Sequence, residues 1–223
     1  MKKNQTIILA AGVCARMKSH EPRSLLKIKE KTLIDYQISN VHKTFGKDIT
    51  VVTGYKSCKL NKKLSDSKIK FIENKDFINT NPSHGIKLAL KNSVDSVLVM
   101  HGDLLFNVDT IDVPKEKSFI IVDTKNQIHD KEVGIVTNGD IVANLSYGLK
   151  KKWCQIAFFT GKELKILKEI IWEKIDEKFV FEIINMVIER GGTFHCYEPH
   201  NMQIVEIDSV KDLKNEKIKN IDS

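Results

Sequence analysis

Thr6-Ile7-Ile8-Leu9-Ala10-Ala11-Gly12-Val13-Cys14-Ala15-Arg16-Met17, followed by Glu21-Pro22-Arg23-Ser24-Leu25-Leu26, is the stretch that decides the fold. An apolar run ends in small residues and a glycine, and two arginines follow, Arg16 and Arg23. A buried strand opening into a loop of Ala and Gly lets backbone N–H groups approach an anion closely. Arginines add fixed charge and planar donors that match phosphate oxygens. The stretch therefore predicts a phosphorylated ligand at the carboxyl end of the first strand of an α/β sheet.

Working outward, Thr32 is placed to cap a helix whose apolar positions are Leu33, Ile34, Ile38 and Val41, with Gly46 just past its end. Ile49-Thr50-Val51-Val52-Thr53 reads as a buried strand, and Ile69 to Ile72 as another. Asn79-Thr80-Asn81-Pro82-Ser83 is a turn cluster, with Ser83 as the expected cap of a helix running to Lys91. Ser96 to Met100 is the next strand, ending in His101-Gly102-Asp103. Strands alternating with helices imply a mostly parallel sheet covered on both faces.

Beyond this point the pattern is mixed. Phe119 to Val122 and Gln155 to Thr160 are strand-like, and Val133 to Val142 reads as a hairpin with Asn138-Gly139 as a type I′ turn. Helices are expected over Lys162 to Ile175 and Phe179 to Arg190, then strands at Thr193–Tyr197 and Gln203–Ile207, then a last helix capped by Ser209. The expected class is α/β: a Rossmann-like three-layer αβα fold with a mixed, mostly parallel central sheet. One domain is expected over 1–223, in two halves, 1–104 and 105–223, the second of which carries the late acids.

Composition narrows the function. Of the 223 residues 41% are hydrophobic and 29% charged, which excludes disorder, and no apolar run has the length of a membrane span. No secretory leader is apparent, and Cys14, Cys58, Cys154 and Cys196 form no C-x-x-C pair, so a reducing cytoplasm is expected, without zinc or disulfides. The net charge of +7 is spread over scattered lysines, with one run at Lys150-Lys151-Lys152 that a solvated surface explains. No basic helix face is interleaved with aromatics, so neither nucleic acid nor membrane is expected as a partner.

Two acidic groups are candidates for chemistry. Asp103 stands just past the carboxyl end of a buried strand, where a carboxylate either holds Mg²⁺ or caps the next turn. Glu206 and Asp208, two apart in a strand, share a face, or else they serve a helix N-terminus.

The opening stretch resembles the signature of the nucleotidyltransferases that join a nucleoside triphosphate to a phosphate monoester, L-A-A-G-x-G-x-R-[ML] followed by P-K-x-L. It matches at Leu9, Ala10, Ala11, Gly12, Arg16, Met17, Pro22 and Leu25, and departs where Cys14 replaces a glycine and Arg23 a lysine. The end of the chain, Glu206-Ile207-Asp208-Ser209-Val210-Lys211-Asp212, resembles that of bacterial choline-phosphate cytidylyltransferases.

The resemblance implies a nucleotide-binding half at 1–104, an acceptor-binding half at 105–223, and a site between them. Leu9, Ala10, Ala11 and Gly12 would form the loop under the nucleotide, and Asn81 and Gly85 would contact its base and ribose. Arg16 would bind the β- and γ-phosphates, and Arg23 would stabilise charge at the α-phosphate. Asp103 and Asp208, helped by Glu206, would hold Mg²⁺. Glu182 and Trp153 are the acceptor-side candidates, Trp153 as an aromatic wall for a quaternary ammonium. Trp172 is expected in the core instead.

The implied partners are a nucleoside triphosphate, CTP being favoured, and a small phosphorylated acceptor such as phosphocholine. A homodimer is compatible with this reading. The alternatives are a sugar-1-phosphate nucleotidyltransferase, a GTP-dependent molybdopterin-type transferase and a non-catalytic nucleotide-binding relative.

Overall fold

A computed structural model describes residues 3–13, 21–65, 68–126, 128–208, 212–214, 218 and 221. Its centre is β1 (Asn4–Ala10), whose middle residues are buried on both faces. Parallel neighbours flank it: β4 (Ile49–Thr53) on one side and β6 (Ser96–His101) on the other, with β5 (Lys70–Glu73) outside β4. Runs of β-branched and apolar residues with no polar alternation suit strands covered on both faces.

The covering helices are α1 (Leu33–Thr44), α2 (Ser57–Lys63), α3 (Pro82–Ala89), α4 (Gly161–Ile170) and α5 (Val180–Glu189). Strand alternation sorts their contacts. Ile8, Val51, Leu98 and Phe158 pack with Ile34 and Val41 of α1 and Leu60 of α2. Ile7, Val52, Val97 and Phe159 point the other way and pack with Ile86 of α3, Leu167 of α4 and Ile184 of α5. These are the three layers expected from the sequence.

The sheet continues through β11 (Lys151–Thr160), β8 (Phe119–Asp123), β12 (His195–Tyr197), β10 (Ile141–Tyr147) and β9 (Val133–Asn138), giving the order β5-β4-β1-β6-β11-β8-β12-β10-β9. Strands β10 and β11 run against the rest. The start of β11 therefore lies at the edge where β6 ends, with Ile156 opposite Met100. A register shift between Trp153 and Ala157 marks a bulge in β11, and Gln155 within it has φ +58°. A bulge of this kind re-aims the side chains beside it.

Two short ribbons stand apart from the main sheet. One pairs β2 (Lys27–Ile28) with β3 (Lys31–Thr32). The other pairs β7 (Leu104–Phe106) with β13 (Ile204–Glu206), so that Leu104 faces Glu206 and Ile207 N–H donates to Asp103 C=O at 2.9 Å. Leu105, Val205 and Ile207 bury this ribbon against Ile28, Leu33 and Tyr36.

Several local expectations change. Thr32 does begin α1, with Asp35 Oδ2 accepting from its N–H (3.0 Å) and hydroxyl (2.6 Å). Ser83 is not the cap of α3. Asn81 is, with Pro82 at the first helical position, where its missing N–H costs nothing. Ser83 Oγ instead donates to the carbonyls of Ile175 and Lys178. The β9–β10 turn is centred on Gly139-Asp140, because Asn138 pairs with Ile141. Gly139 has φ +62° and Asp140 does not share a positive φ, which is a II′ pattern and not I′. Helix α4 ends at Ile170, and Trp172 beyond it is 72% exposed, not core. Ser209 lies outside the described residues.

Gly102 lets β6 turn beside the opening loop. A Cβ there would meet Ala10 Cβ at 2.8 Å and Leu9 O at 3.0 Å, and Gly102 N–H donates to Leu9 C=O at 2.8 Å. Gly102→Ala must shift backbone, so urea unfolding should show a loss of about 1–3 kcal/mol; an unchanged midpoint would contradict this packing.

Candidate functional site

The β7–β13 ribbon brings residues far apart in sequence to one point. Asp103 leaves the end of β6, and Glu206 and Asp208 arrive with β13; one ligand oxygen from each lies within 4.8 Å of the others. Helix α1 fixes the turn that carries Asp103. Buried Gln37 donates through Nε2 to His101 C=O and Leu104 C=O, both at 2.9 Å, and Asn40 Nδ2 donates to Phe106 C=O at 2.6 Å. Gln37 and Asn40 were missed in the sequence; two buried amides inside an apolar helix stripe are the signal that could have found them.

Arg23 follows Pro22 in a 3-10 turn, and its Nη1 bridges Asp103 Oδ2 (2.5 Å) and Asp208 Oδ1 (2.8 Å). Burial and the charges of Asp103 and Asp208 push the Glu206 carboxyl up to about 7, against a hydrogen bond from Gln155. Lys152 Nζ sits 3.7 Å from Glu206 Oε2 and is hydrogen-bonded to Glu132. Burial works against the Lys152 charge, yet Glu132 and Glu206 raise its ammonium pKa above the ordinary value.

The donor set fits a hard divalent cation such as Mg²⁺, which takes carboxylate oxygens and keeps waters. One atom argues for this specifically. Asp103 Oδ1 is buried and has no hydrogen-bond partner among the described residues, a costly state unless a ligand completes it. Asp103, Glu206 and Asp208 are the residues that would hold the ion.

A pocket of about 150 Å³ opens beside Asp103, lined by Leu9, Ala10, Ala11, Gly12, Arg23, Asn81, Gly85 and Asp103. All six residues expected at the nucleotide thus share one cavity. Gly85 packs closely there: a Cβ would come 2.8 Å from Leu9 Cδ2 and 3.2 Å from Val52 Cγ1, so the Leu9 side chain would have to shift. Asn81 Nδ2 donates to Glu177 C=O at 2.5 Å, and its N–H to Asp176 C=O at 2.8 Å, so the start of α3 is tied to the α4–α5 connection. His84 Nδ1 and Lys87 Nζ both meet Asp176 Oδ1, at 2.6 Å and 3.2 Å. Phe77, Thr80 and Asn74 complete the pocket and were missed, since the Asn-rich turn gave no sign of which side chains face inward. Arg16 and Cys14 lie outside the described residues.

A second cavity of about 810 Å³ shares Arg23 and Asp103 with the first and is lined by Glu206 and Asp208 as well. Tyr147, Phe179 and Phe181 form its aromatic wall, with Phe181 5.4 Å from Tyr147 and 6.0 Å from Phe179 between ring centroids. Trp153 also lines it but is buried, with its Nε1–H given to Ile156 C=O at 3.1 Å and its ring edge-on to His101. His101 is half-buried, and desolvation lowers its pKa. Glu182 is placed differently: its Oε2 accepts from Phe179 N–H at 2.7 Å at the start of α5, and it is not among the lining residues. Asn185 holds Leu145 through both its N–H and C=O.

Residues 6–113 match the model of the MobA-like NTP transferase domain. That stretch, a little under half of the chain, is similar to this family. Among relatives, the Bifunctional protein GlmU of Francisella philomiragia is 36% identical over 107 residues, covering 47% of this chain and 23% of that protein. The GlmU of Francisella tularensis subsp. novicida is 31% identical over 133 residues, covering 59% and 27%. The chain thus spans about a quarter of the length of these relatives.

Two solved structures have the same fold over nearly the whole chain. A CTP:phosphocholine cytidylyltransferase from Streptococcus pneumoniae has TM-score 0.78 at 20% identity, covering 95% of this chain and 96% of that one. The inositol-1-phosphate CTP transferase from T. maritima has TM-score 0.80 at 17% identity, covering 99% and 94%.

The raised Glu206 carboxyl has a consequence for stability. Its folded pKa exceeds the unfolded value, so folding takes up a proton between about pH 4.5 and 7 and stability falls as pH rises through that window. In the presence of a chelator, Glu206→Gln should gain stability over the parent as pH rises from 4.5 to 8, with little difference at pH 4, in thermal melts. A gap independent of pH would contradict the buried-acid account.

Proposed function

We propose that the protein is a divalent-metal-dependent nucleotidyltransferase that joins the nucleotidyl group of a triphosphate to a small phosphomonoester or phosphonate and releases pyrophosphate. The observation that carries the reading is that Arg23 and Asp103 line both cavities, while Glu206 and Asp208, which meet Asp103, line the second. One cavity has the small-residue loop and glycine floor suited to a nucleotide, and the other is large enough for an acceptor.

An acceptor phosphate oxygen attacks the α-phosphorus, the bond from that phosphorus to the bridging oxygen breaks, and pyrophosphate leaves. Positioning and electrostatics supply most of the catalysis in such a transfer. Arg23 offers its guanidinium to the phosphate oxygens where charge builds, and the loop from Ala10 to Gly12 admits the triphosphate against backbone. Mg²⁺ held by Asp103, Glu206 and Asp208 would neutralise phosphate charge and orient the reacting oxygens. By resemblance, Arg16 serves the β- and γ-phosphates.

CTP and a phosphocholine-like acceptor are the favoured pair. The two CTP-using proteins of the same fold support the nucleotide. The aromatic wall of Tyr147, Phe179 and Phe181 supports a cationic amine, which aromatic faces attract. A sugar 1-phosphate is the second reading. A protein from Bacillus anthracis described as a glucose-1-phosphate thymidylyltransferase, in complex with a sucrose, has TM-score 0.78 at 15% identity and covers 99% of this chain and 96% of that one. Four separated cysteines suit work in a reducing cytoplasm.

The test is pyrophosphate release with Mg²⁺ across a panel of CTP, UTP, dTTP, ATP and GTP against phosphocholine, phosphoethanolamine and glucose 1-phosphate. CTP with phosphocholine should be the best pair. Nucleotide binding without release from any pair would favour a non-catalytic relative. Asp103→Ala should cost at least about 10²-fold in rate with an unchanged circular dichroism spectrum. Arg23→Lys should stay within about tenfold of the parent while Arg23→Ala falls by about 10²-fold or more; equal losses in the two would remove Arg23 from the phosphate site.

A further inference from the structure

We propose that Lys152 is the cation that receives the acceptor's phosphate group, a role that rests on the transferase reading above. The acceptor must bring a phosphate up to a point ringed by Asp103, Glu206 and Asp208, with Glu132 close by. A dianion approaching four carboxylates needs a positive group on its own side of the site.

Arg23 lines both cavities and is held between Asp103 and Asp208. Lys152 lines the acceptor cavity and not the nucleotide pocket. Lys131 lines the acceptor cavity as well but is exposed, where water screens a charge. The Lys152 side chain is only 19% exposed, and its Nζ stands 3.7 Å from Glu206 Oε2, so it addresses the reacting centre directly.

Local backbone makes it so. Along β11 the side chains alternate, so Lys151 turns out to donate to Thr137 Oγ1 at 2.9 Å while Lys152 turns in. The run Lys150-Lys151-Lys152, which composition explains as solvated surface, contains one inward cation. Glu132 is its present partner, and Glu132 is also occupied by His129 N–H at 2.8 Å through Oε2. A phosphate with more charge and more acceptor oxygens competes with that single carboxylate oxygen for Lys152.

The full chain tests this in two ways. In Lys152→Gln the KM for phosphocholine and for glucose 1-phosphate should rise about 10–100-fold, the range of a lost charge-assisted hydrogen bond, with the KM for the triphosphate unchanged. Lys152→Arg should recover most of the acceptor KM. Glu132→Gln, which removes the competing acid, should lower the acceptor KM. Equal acceptor KM in Lys152→Gln and the parent overturns the proposal. So does a rise in Glu132→Gln that matches Lys152→Gln, because the pair would then be only structural.

Binding is read separately by the fluorescence of Trp153 in a Trp172→Phe background, titrated with phosphocholine and with choline. Lys152→Gln should weaken the phosphocholine response at least about tenfold and leave the choline response as it was. If the parent releases no pyrophosphate yet shows the Lys152-dependent response, the transferase reading fails and the phosphate site stands. If the parent shows no response to phosphocholine, or one that Lys152→Gln leaves intact, the site fails.

Discussion

Three carboxylates share a space in which their oxygens lie within 4.8 Å of one another, and most of the local architecture answers that constraint. At an effective dielectric of 20, each pair of charges at that separation repels by about 3 kcal/mol. Arg23 offsets part of this by standing between Asp103 and Asp208. Lys152 offsets part of it at Glu206, and Glu206 takes up the remainder by titrating near neutrality. A site arranged this way has an electrostatic appetite for a divalent cation.

The β7–β13 ribbon creates the constraint. It is three residues long on each strand and stands apart from the main sheet, yet it joins the end of β6 to the late acids. Leu105, Val205 and Ile207 bury it, and Gln37 and Asn40 hold it from α1. Apolar burial thus supplies the free energy that holds like charges together. Removing water from the ribbon and gathering the carboxylates are one structural event.

Much of the fold was legible because the sequence patterns are local. β1, β4 and β6 are continuous apolar runs, and α1 announces itself through Thr32 and Asp35. The acids were legible as well, since Asp103 follows a buried strand and Glu206 and Asp208 alternate. Less legible were features set by pairings over long separations. β7 is too short to show a period, and the bulge at Gln155 depends on how β11 meets β8. The turn at Gly139 failed by one residue because register, not the Asn-Gly dipeptide, chose its centre. Trp172 was expected in the core because α4 was read five residues too long; once the helix stops at Ile170, nothing carries that ring inward.

The direction of β11 explains why one cluster of acids serves two cavities. Had β11 run parallel to β6, its first residues would lie at the far edge of the sheet. Running against β6, it brings Lys152, Trp153 and Gln155 to the edge where Asp103 emerges. The loop from Ala10 to Gly12 reaches the same edge from β1, on the other side of β6. A strand reversal next to β6 therefore sets two surfaces of different origin facing each other across Asp103. A pocket of small residues and backbone lies on one side, and a wall of aromatics with an inward lysine on the other. That asymmetry is what the proposed transfer between two unlike phosphates would require of one cluster of carboxylates.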